Sequence, residues 1–210
     1  MRVGKQQMHA GLKQYLDSAL LGVHLIPEER QRALEDVAAF VSWKRAAGEV
    51  AELTFICTHN SRRSQMGQLW APVAAAHFGI GEVRTYSGGT EATAFNPRAV
   101  AAMERAGFVI AKPGGDNPRY RVTFDEDGPA MECFSKTYDD PANPVEGFAA
   151  IMTCSEADEA CPVVPGAALR APIRYEDPNV SDGTPREAAA YDERCLQIAT
   201  EMLYLFSRVR

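Results

Sequence analysis

The chain has 210 residues, of which 46% are hydrophobic and 24% are charged, so it can bury a substantial core and has the composition of a globular protein. Its net charge of -6 argues against a general nucleic-acid-binding protein, because binding along a phosphate backbone requires a positively charged surface. The sequence contains no apolar run long enough to span a bilayer and no apolar signal segment at its start, so we expect a cytoplasmic protein that does not act at a membrane.

Residues 1–50 are predicted to form an N-terminal helical extension. Leu12 and Leu16 belong to a first stretch with apolar residues at helical spacing, and a second stretch begins near Pro27 with Glu28 in its first turn. Because both apolar stripes are continuous, we expect the two helices to pack on the rest of the protein. The alternative is that they form a surface through which the chain oligomerises.

The remainder of the chain, residues 51–210, alternates apolar β-rich runs with amphipathic helical patterns. The predicted strands are LTFIC, EVRTYS, FAAIMTC and APIRY. The predicted helices are SQMGQLWAPVAAAHFG, NPRAVAAMERAGF and TPREAAAYDERCLQIATEMLYLFSRV. Such alternation implies a parallel sheet with helices on both faces. We therefore predict one α/β domain with three layers and a four-stranded parallel sheet.

Between residues 112 and 147 this alternation is interrupted. Two strand-like stretches, PRYRVTF and AMECFSK, flank the turn-like sequence DEDGP. Short β-rich runs separated by turn residues are typical of an antiparallel hairpin. We therefore predict that residues 112–147 form a β-hairpin inserted into the α/β domain.

The stretch TFICTHNSRRSQMGQ, which joins the first predicted strand to the next helix, favours an anion-binding loop. A helix N-terminus offers free backbone N–H groups and the positive end of a dipole. These favour the thiolate of Cys57, which is a strong nucleophile, and Arg63 can bind two oxygens of a tetrahedral anion. Ser64 can hydrogen-bond the sulfur, and Asn60 can brace the loop. The alternative is a buried strand cysteine followed by a solvated basic turn.

This loop resembles the anion-binding loop of the low-molecular-weight protein tyrosine phosphatase superfamily. The residues that carry the resemblance are Cys57, Thr58, His59, Asn60, Ser61, Arg62, Arg63 and Ser64. Two further similarities lie in TYSGGTEATAFNPRAVAAMERAGF and in the sequence EDP before the last helix. Together they cover residues 52–210, apart from the insert. The resemblance implies the fold of that superfamily and an oxyanion, arsenate or phosphate, bound by the side chains and N–H groups of residues 58–64.

A pair of cysteines indicates one branch of that superfamily. Cys154 and Cys161, in MTCSEADEACPVVPG, follow the third predicted strand. Their spacing is similar to that of the cysteine pair in thioredoxin-coupled arsenate reductases. The polar, acidic sequence SEADEA between them predicts a surface segment. The alternative is a pair of small buried thiols without a chemical role.

For a member of that branch, the resemblance implies reduction of arsenate to arsenite. We expect the reaction to need no metal or other cofactor, since Gln68 stands where such enzymes often carry a glutamate that helps to hold a potassium ion. Cys57 would attack arsenate, Arg63 would hold its oxygens, and Asp177 would donate a proton to the leaving hydroxide. Cys154 would then attack Cys57 and release arsenite. Cys161 would resolve the resulting disulfide, leaving a Cys154–Cys161 pair for a thioredoxin-like reductant.

The sequence is compatible with two other functions. One is a phosphatase acting on phosphotyrosine or a small phosphoester, although Asn179 and Val180 follow the Asp-Pro pair where phosphotyrosine enzymes carry aromatic residues. The other is a non-catalytic oxyanion-binding module, which the intact Cys57 and Arg63 disfavour. Asp177 could also belong to a simple turn, and Glu176 is its rival as the acid.

The remaining cysteines are not predicted to take part in the chemistry. Cys195 lies on the apolar face of the last predicted helix, at core spacing. Cys133 lies in the predicted hairpin and has no assigned role. No cluster of residues with metal-ligand spacing is present in the sequence.

Overall fold

The N-terminal extension is helical in the computed structural model, which describes residues 7–161 and 163–210. The first six residues of the predicted extension lie outside the described residues. Helices α1 (Ala10–Leu21) and α2 (Glu28–Ala46) both pack against α6 (Glu187–Ser207). The buried side chains of the two helices are Leu12, Leu16, Ala19, Leu34, Val37, Ala38, Phe40 and Val41. They belong to the same hydrophobic core as the α/β domain.

The predicted four-stranded parallel sheet is confirmed. Its strands are β1 (Ala51–Cys57), β2 (Val83–Gly89), β6 (Phe148–Met152) and β7 (Ala167–Pro172), and their order across the sheet is β2-β1-β6-β7. The fourth strand begins earlier than the predicted APIRY, because Ala167 to Pro172 pair with β6. As an edge strand, β7 is only partly buried. The sequence AALRAP therefore lacks the continuous apolar run by which a fully buried strand is recognised.

Alternate residues of the central strands face two separate hydrophobic clusters, since successive strand side chains point to opposite faces. Phe55 and Ile151 belong to the larger cluster, together with residues of α1, α2 and α6. Ile56 and Met152 belong to the smaller cluster, which also contains Cys57 and Cys154. Both faces of the sheet are thus covered, and the predicted three-layer α/β architecture is confirmed.

The helices of the α/β domain are α3 (Arg63–His77), α4 (Pro97–Arg105), α5 (Ser155–Ala160) and α6. The short helix α5 was not predicted, because six residues are too few to show a helical apolar pattern. Among the helices of the described ranges, none is both long and apolar enough to cross a lipid bilayer.

The insert contains the predicted antiparallel hairpin, formed by β4 (Tyr120–Thr123) and β5 (Met131–Cys133). A third strand, β3 (Val109–Ala111), pairs with β4 and makes a small antiparallel sheet. Its three residues are exposed or half-buried, so they gave no strand pattern. After β5 the chain returns to the main sheet, where the N–H of Gly89 donates to the carbonyl of Lys136 at 2.9 Å. The insert is thereby attached beside the carboxyl end of β2.

Candidate active site

The loop between β1 and α3 curls around the sulfur of Cys57. The Sγ atom is buried and lies 3.1 Å from the hydroxyl oxygen of Ser64. The Asn60 side-chain amide donates to the same hydroxyl oxygen at 2.9 Å, which leaves the Ser64 proton free to point at the sulfur. Asn60 has a φ of 47°, in the left-handed region that asparagine adopts more readily than most residues. The structure therefore brings Cys57, Asn60 and Ser64 together at one point.

The segment that follows β5 braces this loop from the outside. The Lys136 N–H donates to Asn60 Oδ1 at 3.0 Å, and the Gln65 amide donates to the same oxygen at 3.2 Å. The Ser135 hydroxyl donates to the carbonyl of His59 at 2.8 Å. The bonds from Lys136 and Ser135 hold Asn60 in its left-handed conformation, which is a role for the insert that the sequence did not reveal.

Three other loop residues have side chains with specific partners. The Ser61 hydroxyl donates to the Ala94 carbonyl at 2.7 Å. The His59 ring lies 3.0 Å from the Glu91 carboxylate. The Thr58 hydroxyl lies 3.5 Å from Cys154 Sγ. For Ser61, whose hydroxyl is already bonded, the backbone N–H is the group that could meet an anion.

Two arginines of the loop hold Asp177. Arg63 donates through Nη1 to the Tyr175 carbonyl at 2.8 Å and through Nη2 to Asp177 Oδ2 at 2.7 Å. The Arg62 Nε atom lies 2.8 Å from Asp177 Oδ1. The rival carboxylate, Glu176, is 93% exposed and contacts Arg194 at 3.5 Å. Of the two candidate acids, Asp177 is therefore the one that the structure places at the loop.

The pocket above the loop is small. It is lined by Cys57, His59, Ser61, Arg62, Arg63 and Asp177. Its cavity volume of ≈ 10 Å³ is about the room that one water molecule needs. A tetrahedral oxyanion is larger, so the Asp177 carboxylate must move away from Arg63 before an anion can enter. The Nε atom of Arg63 is buried and has no hydrogen-bond partner among the described residues, which makes it an available donor for such an anion.

The two cysteines of the predicted relay lie at opposite ends of α5. Cys154 is the N-cap, is buried, and accepts a hydrogen bond from the Ala157 N–H at 3.4 Å. Burial raises the pKa of the Cys154 thiol. Cys161 is the C-cap and is half-buried. Seven helical steps separate their Cα atoms by about 10 Å, whereas a disulfide needs at most about 7 Å. A bond between them therefore requires α5 to unwind.

A buried carboxylate holds α5 in place. Asp158 forms ion pairs with Arg170 and Arg174, although it lies in the segment that was predicted to be at the surface. Arg170 also donates to the Cys161 carbonyl at 3.0 Å. Ser155, Glu156, Glu159 and Ala160 are exposed as predicted. Asp158 was missed because both of its partners lie 12 and 16 residues further along the chain, beyond any local pattern.

The remaining two cysteines are predicted to resist alkylation in the folded protein. Burial raises the pKa of the Cys133 thiol to about 12 and that of Cys195 to about 11. At pH 8 only about one Cys195 thiol in a thousand is then ionised, and the thiolate is the reactive form. We expect iodoacetamide to label Cys57, which lines the pocket of the loop, before the other thiols and to leave Cys133 and Cys195 unlabelled until guanidinium is added. Peptide mapping checks this, and equal labelling rates in the native protein would contradict it.

Comparisons with known proteins place these features in context. The family model described as low molecular weight phosphotyrosine protein phosphatase matches residues 52–114. The chain is 32% identical over 140 residues to an arsenate reductase of Bacillus licheniformis and 29% identical over 140 residues to one of Bacillus subtilis. Each alignment covers 67% of this chain and 83% of the relative. A solved arsenate reductase in the phosphate-binding state is 19% identical, with 77% of this chain and all of that chain covered and a TM-score of 0.48.

Proposed function

The chain belongs to the arsenate reductase branch of the low-molecular-weight protein tyrosine phosphatase superfamily, and on this basis we propose that it reduces arsenate to arsenite with Cys57 as the nucleophile. The observation that carries the proposal is the placement of two thiols around one anion loop. Cys57 lies within the loop, and Cys154 lies against the neighbouring Thr58. A phosphatase needs only the first of these thiols.

The first step forms a covalent adduct. The Cys57 thiolate attacks arsenic, and a Cys57–arsenic bond forms. The entering anion displaces Asp177 from the arginines, and Asp177, protonated from solvent, donates that proton to an oxygen of arsenate, which leaves as water. Arg63 and the N–H groups of the loop bind the remaining oxygens and stabilise the charge of the transition state. The Ser64 hydroxyl supports the thiolate by donating to the sulfur before attack.

The second step transfers two electrons to arsenic. The Cys154 thiolate attacks the Cys57 sulfur, a Cys57–Cys154 disulfide forms, and the electron pair of the broken sulfur–arsenic bond reduces arsenic(V) to arsenic(III), which leaves as arsenite. Cys161 then attacks Cys154 and returns Cys57 as a thiolate. The final Cys154–Cys161 disulfide requires an external dithiol, for which a thioredoxin-like protein is our proposal.

The last exchange depends on the unwinding of α5, which the Asp158 ion pairs oppose. We expect Asp158→Asn to shift the equilibrium between the dithiol and the Cys154–Cys161 disulfide towards the disulfide by about tenfold. The ion pairs of Asp158 stabilise only the reduced form, in which α5 is helical, so their loss destabilises that form alone. The measurement is the disulfide fraction in dithiothreitol redox buffers, made in a Cys57→Ser background so that no other partner competes. Glu159→Gln removes an exposed carboxylate of the same helix and is the matched control. An unchanged equilibrium in Asp158→Asn would contradict the role of the ion pairs.

Phosphoester hydrolysis is the second candidate function. The observation that favours it is the buried state of Cys154, because burial raises the pKa of this thiol and so lowers its reactivity at neutral pH. The anion loop is complete without Cys154, so a Cys57–phosphate intermediate could be formed and hydrolysed by the same residues.

One experiment separates the two functions. Arsenate-dependent NADPH oxidation is followed in the presence of thioredoxin and thioredoxin reductase, beside hydrolysis of p-nitrophenyl phosphate by the same preparation. We expect sustained arsenate turnover that stops when thioredoxin is omitted. Hydrolysis of the phosphoester without any reduction of arsenate would overturn the proposal in favour of the phosphatase.

A further inference from the structure

The N-terminal extension contacts Tyr175, a neighbour of the candidate active site, through Arg30 of α2. The guanidinium carbon of Arg30 lies 4.6 Å from the ring centroid of Tyr175, which is buried. Its Nε and Nη2 atoms donate to Glu201 Oε2 of α6 at 3.0 and 2.8 Å. The Glu201 carboxylate is buried as well. Burial raises the pKa of Tyr175 well above its usual value, and the charge of Glu201 adds to the effect.

Tyr175 in turn sets the position of the loop arginine. Its carbonyl oxygen accepts the 2.8 Å hydrogen bond from Arg63, and its N–H donates to the Thr153 carbonyl at 3.0 Å. Asp177, two residues later, is the other partner of Arg63. A shift of the Tyr175 ring would therefore move the backbone that orients both Arg63 and the proposed acid.

We propose that Arg30 is a positioning residue of the active site, which holds Tyr175, and through it Arg63 and Asp177, in place. The inference rests on the function proposed above for the Cys57 loop. The Arg30–Glu201 ion pair buries the Glu201 carboxylate and much of the guanidinium. Such a pair costs desolvation and is a weak source of stability, so geometric specificity is the better explanation of its presence. It also gives residues 10–46 a role in the reaction.

The test measures how well inorganic phosphate protects Cys57 from alkylation by iodoacetamide, which requires no turnover. We expect Arg30→Met to weaken phosphate binding by about tenfold, because a misplaced guanidinium loses charged hydrogen bonds to the anion. Arg30→Lys keeps a charge for Glu201 but cannot stack as a plane on Tyr175. The Arg30→Lys variant should fold with an unchanged Tm. Its affinity for phosphate should lie between that of the wild-type protein and that of Arg30→Met.

Tyr204→Phe is the matched control for stability. It removes the bonds of Tyr204 to Gln31 and Glu35, which join the same two helices at 2.9 and 2.6 Å without touching Tyr175. We expect a lower Tm with unchanged phosphate affinity. If Arg30→Met folds and binds phosphate with the wild-type affinity, the inference is overturned. If Arg30→Met does not fold, wild-type phosphate affinity in Arg30→Lys overturns it. Equal losses in Tyr204→Phe would do the same, by showing that packing alone is responsible.

The phosphate measurement also separates this inference from the proposed function. If the wild-type protein binds phosphate but reduces no arsenate, the proposed reduction fails and the effect of Arg30 on Cys57 protection is still measured. If the wild-type protein reduces arsenate, and Arg30→Met does so at the same rate and binds phosphate with the same affinity, the proposed role of Arg30 is wrong and the proposed function stands.

Discussion

Cys161→Ser is expected to release arsenite for a single turnover and then stop as a Cys57–Cys154 disulfide. In this variant the first two steps are intact, and the thiol that would resolve the disulfide is replaced by a hydroxyl, which cannot take part in the exchange. Cys154→Ser is expected to stop earlier, at the Cys57–arsenic adduct, and to release no arsenite. Cys57→Ser removes the nucleophile and should abolish arsenate reduction and phosphoester hydrolysis alike.

Mass spectrometry of the stalled proteins distinguishes these states, because an arsenic adduct adds mass and a disulfide removes two hydrogens. Both relay variants should still hydrolyse any phosphoester that the wild-type protein accepts, since their anion loop is unchanged. Cys195→Ser is the matched control: the sulfur lies 3.3 Å from the Trp70 indole nitrogen, and serine can accept the same bond. Sustained turnover by Cys161→Ser, without an added small thiol, would show that the proposed relay is wrong.

The parts of the site that could be predicted from the sequence lie close together along the chain. Cys57 and Ser64 are seven residues apart and Asn60 and Ser64 are four apart. A strand and a helix with clear apolar patterns position all three. The parallel sense of the strands also follows from the alternation of strands and helices, and it places the carboxyl ends of the strands at one edge of the sheet.

The contacts that were missed join residues far apart in the sequence. Arg30 and Glu201 are separated by 171 residues, and the Ser135 hydroxyl reaches back 76 residues to His59. Contacts of this kind leave no periodic pattern in the local sequence, because the packing of whole helices and strands decides which side chains meet. The pairing of Asp177 with both loop arginines belongs to the same class: Asp177 was predicted as an acid, but not as an ion-pair partner of Arg62 and Arg63.

This pairing leads to an expected separation of binding from catalysis in Asp177→Asn. The carboxylate now competes with an entering anion for Arg63, and an amide competes less because it carries no charge. Phosphate and arsenate should therefore bind more tightly to the variant than to the wild-type protein. Turnover should fall by about 10²–10⁴-fold, the usual contribution of a general acid, because asparagine cannot protonate the leaving oxygen.

Calorimetric titration with phosphate gives the affinity, and the rate of the first arsenate turnover gives the chemical step. Glu176→Gln is the matched control, because it removes the neighbouring carboxylate, which is exposed and bonded to Arg194. It should leave both values unchanged. If Asp177 had a purely structural role, its replacement would instead release the two arginines and disorder the loop. Phosphate binding and turnover would then both become weaker. Tighter binding with slower chemistry is the result expected if Asp177 competes with the anion for Arg63 and, once displaced and protonated from solvent, donates its proton to the leaving oxygen.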